Sequence, residues 1–278
     1  MNPTGKYDLA VAYRVCSHNS KHAPVKFLND KFNLVKLCLE SFKAATAGLR
    51  VKMFVILDGC PPDYEYLFRS SFDAKDLELI YARRHGNAAT FREQVRILCE
   101  QTACELVYLA EDDYLYRPGA LAEMAVTMSE MISVPDFATP YDHPDYDSFS
   151  RTLHGLFKTT PRYVLRETGW RNRTSTTLTF MARRSSLKQC RALFESINYG
   201  NLMPDLALWM AVTKSHVFNP LAFVGWILTG KSFWAFSWLL AWWVGWKNII
   251  AGKQFKLVAP TPSLATHAAR GFIASGFA

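Results

Sequence analysis

No acidic residue follows Asp205 in this chain of 278 residues. From Lys214 onward five Lys and one Arg stand without a counter-charge, giving +6 in the last 65 residues out of a net +8. A basic partner surface is therefore expected at the C-terminal end. The six Cys (16, 38, 60, 99, 104 and 190) show no CxxC spacing and sit mostly in apolar runs. They read as reduced core thiols of a cytosolic compartment. Gly and Pro total 27, too few for a collagenous or low-complexity chain. No internal repeat of solenoid period is visible. No run reaches the roughly 18 uncharged apolar residues of an ordinary spanning helix. Met1 to Leu9 holds no apolar h-region, so no secretory signal is expected. What is present is ample core material, with half the residues hydrophobic and 20% charged. That excludes wholesale disorder and suits one large α/β domain or two small ones.

Apolar runs at Leu9–Tyr13, Val51–Leu57, Leu77–Tyr81 and Leu106–Ala110 predict buried strands. Helical spacing over 31–45 and 90–103, and from Pro118 to about Ile132, predicts helices between and after them. Strands alternating with helices imply parallel βαβ units in a doubly wound, mostly parallel sheet. Ligands bind such sheets at the carboxyl ends of the strands. Asp58 directly follows the second strand and Glu111-Asp112-Asp113 the fourth, so both belong on one rim. Thr174–Met181 alternates β-branched and polar residues and predicts a further strand, and 185–197 a helix. Pro204 can begin another helix, with Asp205 in its first turn, where the helix dipole favours a carboxylate.

Residues 217–246 differ in kind, with six of the eight Trp and the single charge Lys231. Pro220 and Gly230 bracket a first apolar piece; a second, 232–246, is flanked by Lys231 and Lys247. Fifteen helical residues reach roughly 22 Å, short of the roughly 30 Å hydrocarbon core. The segment is expected to lie in a membrane interface, Trp at headgroup level and Lys at an anionic surface. The competing expectation is a core or oligomer-interface helix, apolar all round.

Three adjacent acids repel unless a cation compensates, and a hard divalent ion such as Mg²⁺ or Mn²⁺ suits carboxylate oxygens and bridges phosphates. Asp58 reads as a turn residue or as an acceptor for nucleotide hydroxyl or N–H groups.

The order of these motifs resembles the nucleotide-sugar half of GT-A glycosyltransferases, with glycosyltransferase family 2 the nearest likeness. It rests on Val55-Ile56-Leu57-Asp58, then Arg84-His85-Gly86-Asn87 before a helix, then Leu109-Ala110-Glu111-Asp112-Asp113. The resemblance covers about 7–213 and 258–270. It implies that Asp58, Asn87, Glu111 and Asp112 contact the donor and that Asp113, last in a DxD-type motif, ligates the metal. It implies that Asp205, in Met203-Pro204-Asp205-Leu206, is the catalytic base of an inverting reaction. His267, in Pro262-Ser263-Leu264-Ala265-Thr266-His267, would complete the metal site. Glu111 replaces the usual first Asp, Asn87 fits the family's Asn-Gly pattern loosely, and no Gln-x-x-Arg-Trp motif is present. That last absence argues for single-sugar transfer over processive synthesis.

The resulting expectation is a metal-dependent, inverting glycosyltransferase using Mg²⁺ or Mn²⁺ and a nucleoside diphosphate sugar. Its acceptor would be a membrane-associated or lipid-linked glycan, and its place the cytoplasmic face of a membrane, as a peripheral or monotopic protein. Residues 1–213 would form the catalytic domain, 214–257 a membrane-associating segment, and 258–278 a segment returning to the active site. His143, Asp145 and the arginines between 162 and 184 are further candidates for donor, acceptor or phosphate contact. A nucleic-acid-binding protein is the alternative, from the pI of 9.2 and the mixture of aromatic and basic residues. The apolar character of the basic segment and the lack of a zinc-finger or RNP-type motif count against it. A sugar nucleotidyltransferase is disfavoured because Arg14-Val15-Cys16-Ser17-His18-Asn19 after the first strand has no Gly.

Overall fold

A computed structural model describes residues 6–18, 29–131, 134–142, 162–165, 168–196, 205–269, 273, 274 and 277. Strands β1 (Leu9–Cys16), β2 (Val51–Asp58), β3 (Leu77–Ala82) and β4 (Leu106–Glu111) pair in parallel in the order β3-β2-β1-β4. The sheet continues through β9 (Phe180–Arg183), β6 (Phe137–Ala138), β10 (Leu257–Thr261), β8 (Thr168–Asn172) and β7 (Arg162–Leu165). β9 and β8 run against their neighbours, so seven of the nine strands point one way.

The first strands are buried on both faces, which is why they read as continuous apolar runs rather than alternating ones. Leu9, Val11, Tyr13 and Val15 face one layer, Ala10 and Ala12 the other. On the first side pack α1 (Lys31–Ala45), α2 (Pro62–Arg69) and α4 (Ala120–Glu130), through Leu39, Phe42, Phe68 and Met124. On the second pack α3 (Asn87–Glu100), α5 (Arg184–Glu195) and α6 (Asp205–Thr213), through Phe91, Phe194 and Trp209. Every α6 residue after Asp205 is buried, so its sequence shows no amphipathic stripe. Outside α6 lie α7 (Pro220–Leu228) and α8 (Ser232–Ala251). Asn219 caps α7 by accepting from the Ala222 N–H at 3.1 Å, and Pro220 fills its first turn.

Several expectations need correction. Residues 174–179 are not a strand. They make a loop in which Thr177 and Leu178 take positive φ (49° and 66°), and the strand begins only at Phe180. The Thr-rich alternation serves hydrogen bonding to a carboxylate instead of a ladder. The second apolar helix runs to Ala251, five residues past 246, because Lys247 continues the helix and it stops at Gly252. Even so, no helix among the described residues is long and apolar enough to cross a membrane. Helix α2 and the short strand β5 (Tyr114–Tyr116) were not expected. Pro204, His143, Asp145 and Arg166 lie outside the described residues.

Helix α8 closes on α6 through small residues. A Cβ built on Gly245 would sit 2.5 Å from Ala211 Cβ, and Asn248 donates to the Ala211 carbonyl at 2.7 Å. Gly245→Ala is therefore expected to lower stability by about 1–3 kcal/mol through overpacking. Urea unfolding followed by circular dichroism reads this as a lower midpoint at unchanged slope.

Candidate active site

β1 carries the register of the rim. Its Cys16 lies opposite Asp58 of β2, and its Arg14 opposite Glu111 of β4. Asp58 and the acidic run thus stand at the same ends of strands two spacings apart, roughly 10 Å across the sheet. β5 follows the acids at once and pairs antiparallel with β11 (Ala265–His267), placing His267 opposite Tyr114. That pairing brings together residues 154 positions apart: His267 Nε2 lies 3.0 Å from Asp113 Oδ2. The imidazole stacks on the Tyr114 ring, centroids 5.1 Å apart, which fixes its plane.

Asp113 Oδ1 is buried with no hydrogen-bond partner among the described residues. An orphaned buried carboxylate oxygen calls for a ligand or ion. Burial opposes ionisation of Asp113, yet His267, Lys31 and Arg14 hold its carboxyl well below the ordinary range. His267 answers in the other sense: burial disfavours its charged form, and Asp113 raises its pKa above the usual value.

No three His, Cys, Asp or Glu side chains form a ready-made metal cage among the described residues. A Mg²⁺-type ion needs none, because it binds through one or two protein ligands with substrate phosphates and water completing six positions. The Asp113 carboxylate with its unpartnered Oδ1 and the adjacent His267 nitrogen would supply one anionic and one neutral ligand. The residues present fit such an ion.

The other acids are occupied. Glu111 pairs with Arg14 and accepts from Thr179 Oγ1 at 3.1 Å; burial raises its pKa although Arg14 opposes this. Arg14 also donates to the Asn87 carbonyl at 2.9 Å and to the Asn87 side chain. Asn87, expected on the donor, thus locks the start of α3 to β1. Asp112, also expected on the donor, accepts from Lys31 Nζ at 2.7 Å and from the Cys16 N–H at 2.9 Å. Each of its oxygens accepts one bond from the chain and it is 6% exposed, so it anchors α1 to the rim.

Asp58 accepts from the N–H groups of His85 and Gly86, at 2.7 and 2.9 Å. It therefore shapes the 83–86 loop, with remaining lone pairs available to a ligand. Gly59 turns the chain at φ 65°, where a Cβ would lie 2.6 Å from Arg84 Cγ, so only glycine fits behind Asp58. Asp58→Ala would strand two amide donors. It is expected to cost about 1–3 kcal/mol in thermal or urea unfolding.

Asp205, at the start of α6, accepts five hydrogen bonds. They come from the Thr176 and Thr177 N–H groups at 3.1 and 3.2 Å, Thr176 Oγ1 at 3.3 Å, Trp209 Nε1 at 3.1 Å and the Ser175 hydroxyl. Burial nonetheless outweighs these donors and pushes its pKa up. Thr177 Oγ1 meets the Tyr114 hydroxyl, so the Asp205 clasp reaches the Asp113–His267 pair through Thr177 and Tyr114. Arg14, Tyr114, Ser175 and Thr177 are the members of the site that sequence reading missed. Arg14 alone carried a signal: a buried arginine needs a partner.

The six cysteines are all free thiols, five of them wholly or partly buried and Cys16 exposed. Burial pushes Cys99 up to about 11 and Cys60 and Cys104 up to about 12, keeping them protonated and unreactive at neutral pH. An open cavity of about 540 Å³, lined by Tyr7, Cys104, Glu105 and Arg184 among others, lies at the opposite end of β1 and β4 and holds none of these acids.

No protein-family model and no curated protein matches the chain. Solved structures with partial likeness include S. aureus TarS 1–349, at TM-score 0.43 and 13% identity over 73% of this chain and 55% of that one. Mannosyltransferase PcManGT from Pyrobaculum calidifontis, in complex with GDP-Man and Mn²⁺, gives 0.45 and 14% over 76% and 52%. A nucleotide-diphospho-sugar transferase, described as putative, from Desulfovibrio desulfuricans G20 gives 0.41 and 14% over 72% and 71%. The chain spans about half the length of the first two. At these scores the likeness decides neither fold nor activity, and both rest on the chain's own residues.

Proposed function

We propose that this rim transfers a sugar from a nucleoside diphosphate sugar to an acceptor hydroxyl with the help of a divalent cation. The observation that carries the reading is the Asp113–His267 pair with its unpartnered buried Oδ1, standing at the carboxyl ends of parallel strands.

Asp113 and His267 would hold Mg²⁺ or Mn²⁺, which when bound neutralises charge on the departing diphosphate. Asp58 and the 83–86 loop it shapes would take the nucleoside side, within reach of the rigid Asn87–Arg14–Glu111 chain. Asp205 would take the acceptor proton as general base, with burial raising its basicity toward the working range. Its five donors crowd the roughly four lone-pair sites of a carboxylate, and the Ser175 and Thr176 hydroxyls are the two that can rotate away. A hydroxyl that does so marks where an acceptor hydroxyl would donate. Direct attack of the acceptor oxygen on the anomeric carbon, with the diphosphate leaving from the opposite face, would give inversion.

The acceptor proposed is a membrane-borne or lipid-linked glycan, because α7 and α8 are apolar on their outward faces and α8 packs against the helix that begins at Asp205. The test is a donor screen by nucleotide release. Release with one nucleoside diphosphate sugar and Mn²⁺ or Mg²⁺, stopped by EDTA, is expected. Undiminished release in EDTA would remove the metal assignment, and no release from any donor would remove the reading.

A further inference from the structure

Eleven of the seventeen large apolar side chains exposed among the described residues belong to α7, α8 and Phe218, two residues before α7. On α7 they are Leu221, Val224, Ile227 and Leu228, the first two and the last spaced by three and four, which is one face of a helix. On α8 they are Phe233, Phe236, Leu239, Trp243, Trp246 and Ile250, again at helical spacing. The inward face of α8 is closed: Ala235, Ala241, Gly245 and Ile249 are buried, Gly245 meets Ala211 of α6, and Trp234, Trp238 and Trp242 pack against the core. That side already has its partner, so the remaining side, with Phe233, Phe236, Trp243 and Trp246, faces outward.

At 52–81% exposure for most of these side chains, the patch is on the order of 1,000 Å², against the roughly 300–600 Å² of a monomer's largest patch. The charge around it has one sign. Between residues 206 and 269 there is no Asp or Glu, and Lys231 stands at the turn joining the two helices, with Lys247 exposed near the end of α8. Lys247 Nζ lies 5.6 Å over the Trp246 ring, combining a cation and an indole at one edge of the patch.

We infer that the outward face of α7 and α8 inserts in the plane of one leaflet of a membrane with anionic headgroups. The apolar face gains the hydrophobic term and the lysines the surface-charge term. In-plane insertion needs no spanning helix, in keeping with the absence of one among the described residues. A second copy of the chain covering the patch would bring Lys247 of both copies together on a segment that has no Asp or Glu of its own, which is why lipid is the occupant argued for. Because α8 packs on α6 through Gly245 and Asn248, insertion would fix the Asp205 end of the site against the membrane surface. The inference deepens the proposed acceptor class. It does not need that reading to be right, since vesicle binding involves no sugar transfer.

Flotation of the whole chain with extruded vesicles tests it. With two parts phosphatidylcholine to one part phosphatidylglycerol the protein is expected to float, and with phosphatidylcholine alone to float far less. High salt should weaken the first without abolishing it. Leu221→Glu combined with Trp243→Glu, both on the exposed face, should lower the vesicle-bound fraction about tenfold or more while circular dichroism and the melting temperature stay as in the parent. Sedimentation of the parent chain in the anionic mixture would overturn the inference, and so would undiminished flotation of the double variant. A dimer that sheds its partner on the same substitutions, without any vesicle binding by the parent, would assign the face to a second copy instead. Flotation of a parent chain that releases nucleotide from no donor would count against the active-site reading alone.

Discussion

Asp113→Ala is expected to lower nucleotide-sugar turnover by about a thousandfold or more. The carboxylate supplies the only fully anionic group of the pair, and a bound cation contributes several kcal/mol of charge stabilisation, each 1.36 kcal/mol being a factor of about ten. The residue is not needed for folding in the way Asp112 is. Asp112 binds Lys31 and the Cys16 amide, whereas Asp113 gives up one side-chain contact, Oδ2 to His267, and its Oδ1 has none to lose. The variant should fold with a lowered melting temperature, and isothermal titration should show Mn²⁺ binding in the presence of nucleoside diphosphate lost. His267→Ala should do less harm than Asp113→Ala, because water can take a neutral nitrogen's place on an ion more readily than a carboxylate's. The reverse order would mean that the histidine acts on substrate directly.

Asp205→Asn should lower kcat by about 10²–10⁴-fold, the usual contribution of a general base, with donor affinity unchanged. An amide keeps an oxygen for the Thr176 and Thr177 N–H groups but turns its NH₂ toward the Trp209 indole N–H. A stability loss of about 1–2 kcal/mol is expected beside the kinetic effect. The two can be separated by pH. In the parent enzyme kcat falls as pH drops through the base's pKa, which burial has lifted above the ordinary carboxylate value of about 3.9. The acidic limb should be present in the parent and absent from the residual activity of the variant. A variant with the same limb, or with full kcat and only a lower melting temperature, would reduce Asp205 to a clasp for the 175–178 loop.

The parallel half of the sheet was legible because its strands are buried on both faces. Leu9–Tyr13, Val51–Leu57 and Leu106–Ala110 admit few other readings, and the ends of those runs located Asp58 and Asp113. His267 was legible only through family likeness, since nothing local in Ala265-Thr266-His267 announces a two-stranded pairing with Tyr114–Tyr116. The loop at 174–179 was misread because β-branched alternation is also what a turn rich in Ser and Thr looks like when its hydroxyls and amides serve a distant carboxylate. Positive φ at Thr177 and Leu178 has no sequence signature, as glycine would have given. The directions of Asp112 and Asn87 were not legible, because a motif records which residues are adjacent, not which way successive side chains point. Asp112 and Asp113 are neighbours, and one meets Lys31 while the other meets His267.

Anomalous diffraction at the manganese edge, from crystals grown with Mn²⁺ and a nucleoside diphosphate, bears most directly on the claim that Asp113 and His267 form a cation site. The account predicts one strong peak in contact with Asp113 Oδ1 and His267 Nε2, with diphosphate oxygens on its far side. A peak elsewhere, or nucleotide bound at the rim while Asp113 and His267 keep only each other, would contradict it.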